Sequence, residues 1–122
     1  MAIFTRTIND DLTSLVKEIN AQVLINKDKK MAAFTVVLTQ DADKTEEQLK
    51  ALAKKENIDQ VPLTLLEGTA GPPAYKIAKD AEVTVLLWRG QKVKANFAFA
   101  KGKLNADAIK KIVDDTSKIL ED

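Results

Sequence analysis

The groups able to do chemistry in this chain are carboxylates, ammoniums, guanidiniums and hydroxyls. It carries 18 Asp and Glu, 19 Lys and Arg, no His and no Cys. Disulfide exchange needs a thiolate nucleophile and a second thiol, so that chemistry has no atoms here. The imidazole, the commonest general base and metal ligand near neutral pH, is also missing. Asp41, Asp43, Glu46 and Glu47 form the densest acidic group, and four carboxylates so close could hold a divalent cation. They lack the Gly and distal Glu of an EF-hand loop. They read first as turn residues (Asp41, Asp43) and as acids favoured in the first turn of a helix (Glu46, Glu47).

A second group is Asn9-Asp10-Asp11, with Arg6 just before it. A carboxylate pair can act in acid–base catalysis, but no nucleophile or partner base stands nearby. Helix capping and dipole complementarity account for these residues without catalysis. Arg6 could bind an anion or pair with an Asp. The run Gly68-Thr69-Ala70-Gly71-Pro72-Pro73-Ala74-Tyr75 places two glycines before a helix start. Its prolines lack N–H donors and the Gly-Lys-Ser/Thr of a phosphate loop is absent, so it reads as a turn. Trp88, the only Trp, is expected half-buried at the rim of a sheet.

These residues must be positioned by the rest of a 122-residue chain with 45% apolar and 30% charged residues. That length suits one domain, residues 1–122, with a core that needs no disulfide. A net charge of +1, with both signs interspersed, argues against the basic stripe of a nucleic-acid binder. Lysines such as Lys54, Lys55, Lys110 and Lys111 read as solvated helix faces. No window has the apolar length of a membrane span and no signal peptide is visible. The expectation is a soluble protein of undetermined compartment.

Strands are expected at residues 2–5 (AIFT), 31–39 (MAAFTVVLT), 61–66 (VPLTLL), 83–88 (VTVLLW) and 93–99 (VKANFAF), the last two joined by a Gly90 hairpin. Leu12, Leu15, Val16, Ile19 and Val23 make one helical stripe behind an Asn9 cap. Thr45-Glu46-Glu47-Gln48 has capping-box form before a second helix with Leu49, Leu52 and Ala53 inward. A short third helix is expected from Pro72 or Pro73 to about Lys79. A last one follows an Asn105 cap, with Ile109, Ile112, Val113 and Leu120 inward. The predicted order is β-α-β-α-β-α-β-β-α, an α/β sheet of about five strands with helices on both faces.

From Ala74 to Val113 the sequence AYKIAKDAEVTVLLWRGQKVKANFAFAKGKLNADAIKKIV resembles the second half of a thioredoxin. The extra helix and strand between about Thr45 and Leu66 are similar to the insertion in peroxiredoxins and in thiol-disulfide oxidoreductases of the cytochrome-maturation type. The resemblance covers nearly the whole chain and implies a thioredoxin-like fold. The family's CxxC would fall near Asn9-Asp10-Asp11-Leu12 and is absent. Its cis-proline aligns with Val83 in Glu82-Val83-Thr84. The Glu82–Val83 bond is then either trans or a costly non-proline cis bond, at about 3 kcal/mol.

The expectation is therefore a redox-inactive, non-enzymatic binding or scaffold module without cofactor or metal. It would hold a protein or peptide at the degenerate active-site edge, through Arg6, Asn9, Asp10, Tyr75 and Val83. Two alternatives stand beside it. The chain could be a fragment of a larger thiol redox protein with cysteines upstream of Met1, or a structural homodimer joined by a sheet edge or the Trp88 region.

Overall fold

The computed structural model describes residues 1–68, 77, 81–89, 92–100 and 102–120. It contains β1 (Ala2–Thr5), α1 (Asp10–Ile25), a 3-10 turn (Lys27–Lys29), β2 (Phe34–Thr39), α2 (Ala42–Glu56), β3 (Leu63–Glu67), β4 (Val83–Arg89), β5 (Lys92–Phe99), α3 (Ala106–Asp115) and α4 (Ser117–Leu120). The strands form one mixed sheet in the order β3-β2-β1-β4-β5. β1, β2 and β3 are parallel, and β4 is antiparallel to both β1 and β5. The chain is thus an α/β protein with a five-stranded mixed sheet. Of the helix expected up to Lys79, only Ile77 is described, and it belongs to no helix; the rest lies outside the described residues. No helix among the described residues is long and apolar enough to cross a membrane.

α1 forms where its stripe and cap place it. The Asn9 side chain accepts from the Leu12 amide, and Leu12, Leu15, Val16, Ile19 and Val23 are all buried. α2 begins three residues before the expected capping box. Asp41 is its cap, accepting from the Lys44 amide at 3.1 Å. Thr45 is buried instead and donates its hydroxyl to Thr39 Oγ1 at 2.8 Å. The correction has a physical cause: the Asp41 carboxylate accepts from the Lys44 amide and the Asp41 carbonyl accepts from the Thr45 amide at 3.1 Å, so the helix has begun before Thr45 and its hydroxyl turns to the end of β2. β2 is shorter than expected: Met31 and Ala33 are buried, but they precede the ladder, which begins at Phe34. Pro62 lies just before β3, where its carbonyl accepts from Thr35 N at 2.9 Å and its missing N–H costs nothing. The last helix is capped by Asn105, but it stops at Asp115 and a separate turn carries Ile119.

Two strand-to-strand steps in one direction, with crossovers of one hand, put α1 and α2 on the same face. There Lys17 Nζ meets Glu56 Oε2 at 3.0 Å. The Asn20 side-chain oxygen accepts from the amides of Gln60 and Val61 at 2.7 and 3.2 Å. This ties α1 to the loop between α2 and β3. The main core lies under these helices and α3, joining Ile3, Val85 and Leu87 of the sheet to Leu15, Ile19 and Ile112. Burying each such side chain is worth roughly 1.5–3 kcal/mol. On the opposite face Ala2, Phe4, Leu38 and Leu86 form a second cluster with Phe34, Trp88 and Ile77 against it. Every described helix that contacts the main core does so on the first face.

Thr35 stands in the ladder between Ile3 and Leu63. It is 1% exposed, and its hydroxyl has no partner among the described residues. Leaving a buried hydroxyl unsatisfied is destabilising. Thr35→Val is therefore expected to raise stability by about 1 kcal/mol in urea unfolding; an unchanged or lower midpoint contradicts the assignment. A second consequence is pH dependence. The Met1 amine donates to the Ala32 carbonyl at 3.2 Å, and burial pushes its pKa from 8.0 down to about 6. Between these values the unfolded chain binds a proton that the folded chain does not, so stability falls as pH falls from 8 to 6. Urea midpoints of a chain with a free Met1 amine should show this slope, and acetylating the amine should remove it.

Candidate binding site

α1 starts where β1 ends and α2 starts where β2 ends. Both helix N-termini therefore share one end of the sheet with the carboxyl ends of parallel strands, the place where open α/β sheets bind ligands. The loop leaving β1 is shaped locally: the Thr5 hydroxyl donates to the Thr7 carbonyl at 2.7 Å, and the Thr7 amide returns to Thr5 Oγ1 at 3.2 Å. A cleft of about 340 Å³ opens between this loop and the start of α2, lined by Arg6, Thr7, Thr39, Asp41, Lys44 and Gln48 among others.

The structure brings four of the five expected site residues to this end and gives them different tasks. The Arg6 amide donates to the Glu82 carbonyl at 2.9 Å, and its guanidinium Nη1 donates to the Ala81 carbonyl. The Glu82 amide donates to the Phe99 carbonyl at 2.7 Å. The backbone at 81–82 is thereby occupied by the first loop on one side and by β5 on the other. Asn9 is a cap: its side chain accepts from Leu12 N at 2.9 Å, and its carbonyl accepts the Thr13 hydroxyl at 2.9 Å. Asp10 and Asp11 are exposed in the first turn of α1. Val83 pairs with Thr5 and is 3% exposed, so its side chain belongs to the core and is not offered to a partner. The Glu82–Val83 bond is trans, since no described peptide bond is cis. Tyr75 lies outside the described residues.

The acidic group resolves in the same way. Asp41 caps α2 and Glu46 Oε1 pairs with Lys50 Nζ at 3.1 Å. Among the described residues no group of three or more Asp or Glu is placed to hold a metal ion. Asp10 and Asp11 of α1, and Asp41 and Asp43 of α2, stand at the positive ends of the two helix dipoles. That position stabilises carboxylates and fills the place where a free anion would otherwise sit. The exposed charge of this end is therefore that of Asp10, Asp11 and Asp43, with the Lys44 ammonium beside them.

Sequence reasoning missed the Thr39–Thr45 bond and the Arg6–Ala81 contact, both of which join residues that no local pattern relates. It also passed over a larger cleft at the other end of the sheet, for which the run of lysines at 27–30 was the only signal. No protein-family model matches the chain, and neither the curated proteins nor the solved structures yield a significant match.

The capping geometry gives a direct expectation. Asn9→Ala should cost about 1 kcal/mol in thermal or urea unfolding, because it leaves the Leu12 amide without its acceptor. A loss within experimental error would mean that the loop, and not the cap, sets the start of α1.

Proposed function

We propose that this chain is a thioredoxin-like domain that carries no thiol chemistry and works as a non-catalytic module, holding a cationic segment of a protein or peptide at the α1 and α2 N-terminal end. The observation that carries the fold reading is the strand order β3-β2-β1-β4-β5. A parallel βαβ unit is followed by an antiparallel hairpin and a final helix on the same face as α1. These features support the reading as far as the described residues reach. A fold does not by itself assign a function, so the binding reading rests on the site. With no Cys and no His, the first turn of α1 offers exposed Asp10 and Asp11 where the family's nucleophile would stand.

The recognition mode is constrained by the backbone. With the Ala81 and Glu82 carbonyls and the Glu82 amide already bonded within the chain, an incoming peptide cannot add its main chain there as a strand. Binding is then carried by side-chain charge, with Asp10 and Asp11 as the groups in reach. Such exposed pairs are each worth about 0.2–1 kcal/mol, and salt weakens them.

Selection of a displayed random-peptide library on the immobilised protein tests this. The expected result is enrichment of Lys- and Arg-rich peptides whose affinity falls at least about threefold in Asp10→Asn/Asp11→Asn and falls further in about 0.5 M salt. Enrichment of peptides indifferent to both changes, or no enrichment, removes the reading.

A further inference from the structure

A second cleft lies at the end opposite the proposed peptide site. It has a volume of about 830 Å³ and lies where β1 and β2 begin and β4 ends. Its apolar walls come from four separate segments: Met31 and Phe34 on the approach to β2, Pro62 before β3, Trp88 near the end of β4, and Ile119. Met31 is buried. Phe34 and Trp88 meet edge to face with ring centroids 6.2 Å apart, which fixes the indole as one wall of the cleft. Lys29 and Lys30 stand at its rim, with Asp28 as the carboxylate in the lining. Lys30 sits in the left-handed region at φ 59, and its amide donates a hydrogen bond to the Lys27 carbonyl at 3.0 Å.

We propose that this cleft binds a small amphipathic carboxylate, its chain or ring against Trp88, Phe34 and Met31 and its carboxylate at Lys29 and Lys30. The argument is complementarity of two kinds. The volume falls in the range of small-molecule sites, which are apolar cavities with a few converging polar groups that set orientation. The polar groups at this rim carry a surplus of positive charge, and two adjacent ammoniums are matched by an anionic head and repel a cationic one. A ligand with an apolar body and a single negative end satisfies both walls at once. A hydrophilic anion would leave the aromatic wall unused.

Trp88 is the only Trp in the chain, so its fluorescence reports on this cleft directly. The experiment is a titration of the whole 122-residue protein with decanoate, and in parallel with decylammonium, which has the same chain and the opposite charge. The expected result is a saturable change in Trp88 emission, with decanoate at least about tenfold tighter than decylammonium. Lys29→Gln/Lys30→Asn should weaken decanoate at least about threefold, since Asn tolerates the left-handed backbone at that position. Amide chemical-shift mapping should place the perturbation at residues 29–34 and 88–89. The proposal is overturned if the response is unsaturable, equal for the two head groups, undiminished in the double variant, or mapped elsewhere. Trp88 emission that shifts with protein concentration alone would mean that a second copy covers the cleft, and would overturn it as well.

Discussion

Ala2 to Thr5 are hydrogen-bonded to a neighbouring strand on both sides, parallel to β2 and antiparallel to β4, and all four are buried. A strand in that position has no freedom of register, because a shift by one residue would exchange its faces. Ile3 would leave the helix-covered core, and Phe4 would leave its contact with Phe34 on the opposite side. Both halves of the molecule are measured from this strand. The parallel half reaches outward through α1, β2, α2 and β3; the antiparallel half reaches outward through β4, β5 and α3. The proposed peptide-binding end exists because β1 stops at Thr5 and turns directly into α1.

The same strand gives the molecule two chemically different ends. Parallel crossovers point the N-termini of α1 and α2 in one direction, and Asp10, Asp11, Asp41 and Asp43 stand there against the positive dipole ends. Lys27, Lys29 and Lys30 follow the C-terminal end of α1 at the opposite pole, and Lys54 and Lys55 occupy the last turn of α2. A net charge of +1 therefore conceals a partial separation of charge, with Arg6 and Lys44 among the carboxylates and Asp28 among the lysines. The hydrogen bonds from Arg6 to Ala81 and Glu82 close the acidic end, joining the first loop to the segment before β4. The other end stays open, with aromatic walls between Trp88 and Phe34.

The legible features were those whose physics is local. The α1 stripe and its Asn9 cap, the Asn105 cap, and the hairpin between β4 and β5 each depend on residues within a few positions of one another. Where two local signals competed, a distant contact decided. Thr45 and Asp41 both suit a helix cap; Asp41 takes the role, and Thr45, one turn inside the helix, bonds its hydroxyl to Thr39 at the end of β2. The site was legible only in outline. The loop after β1 lies beside the start of β4, and Val83 is turned into the core by its pairing with Thr5. Arg6 bonds backbone carbonyls more than seventy residues away, which no spacing in the sequence encodes.

By itself, the sequence determined that thiol and imidazole chemistry has no atoms here, and it determined the approximate place of the described strands and of α1, α2 and α3. Thiol and imidazole chemistry require atoms that composition either supplies or lacks. Helix stripes and strand runs arise from periodicities that each segment carries alone. Only the tertiary structure decided the strand order, the sharing of one face by α1 and α2, the burial of Val83 and the partial charge separation between the two ends. Those depend on pairings across long stretches of chain. There the free energy comes from burying one segment's apolar face on another's, and no segment contains that information alone.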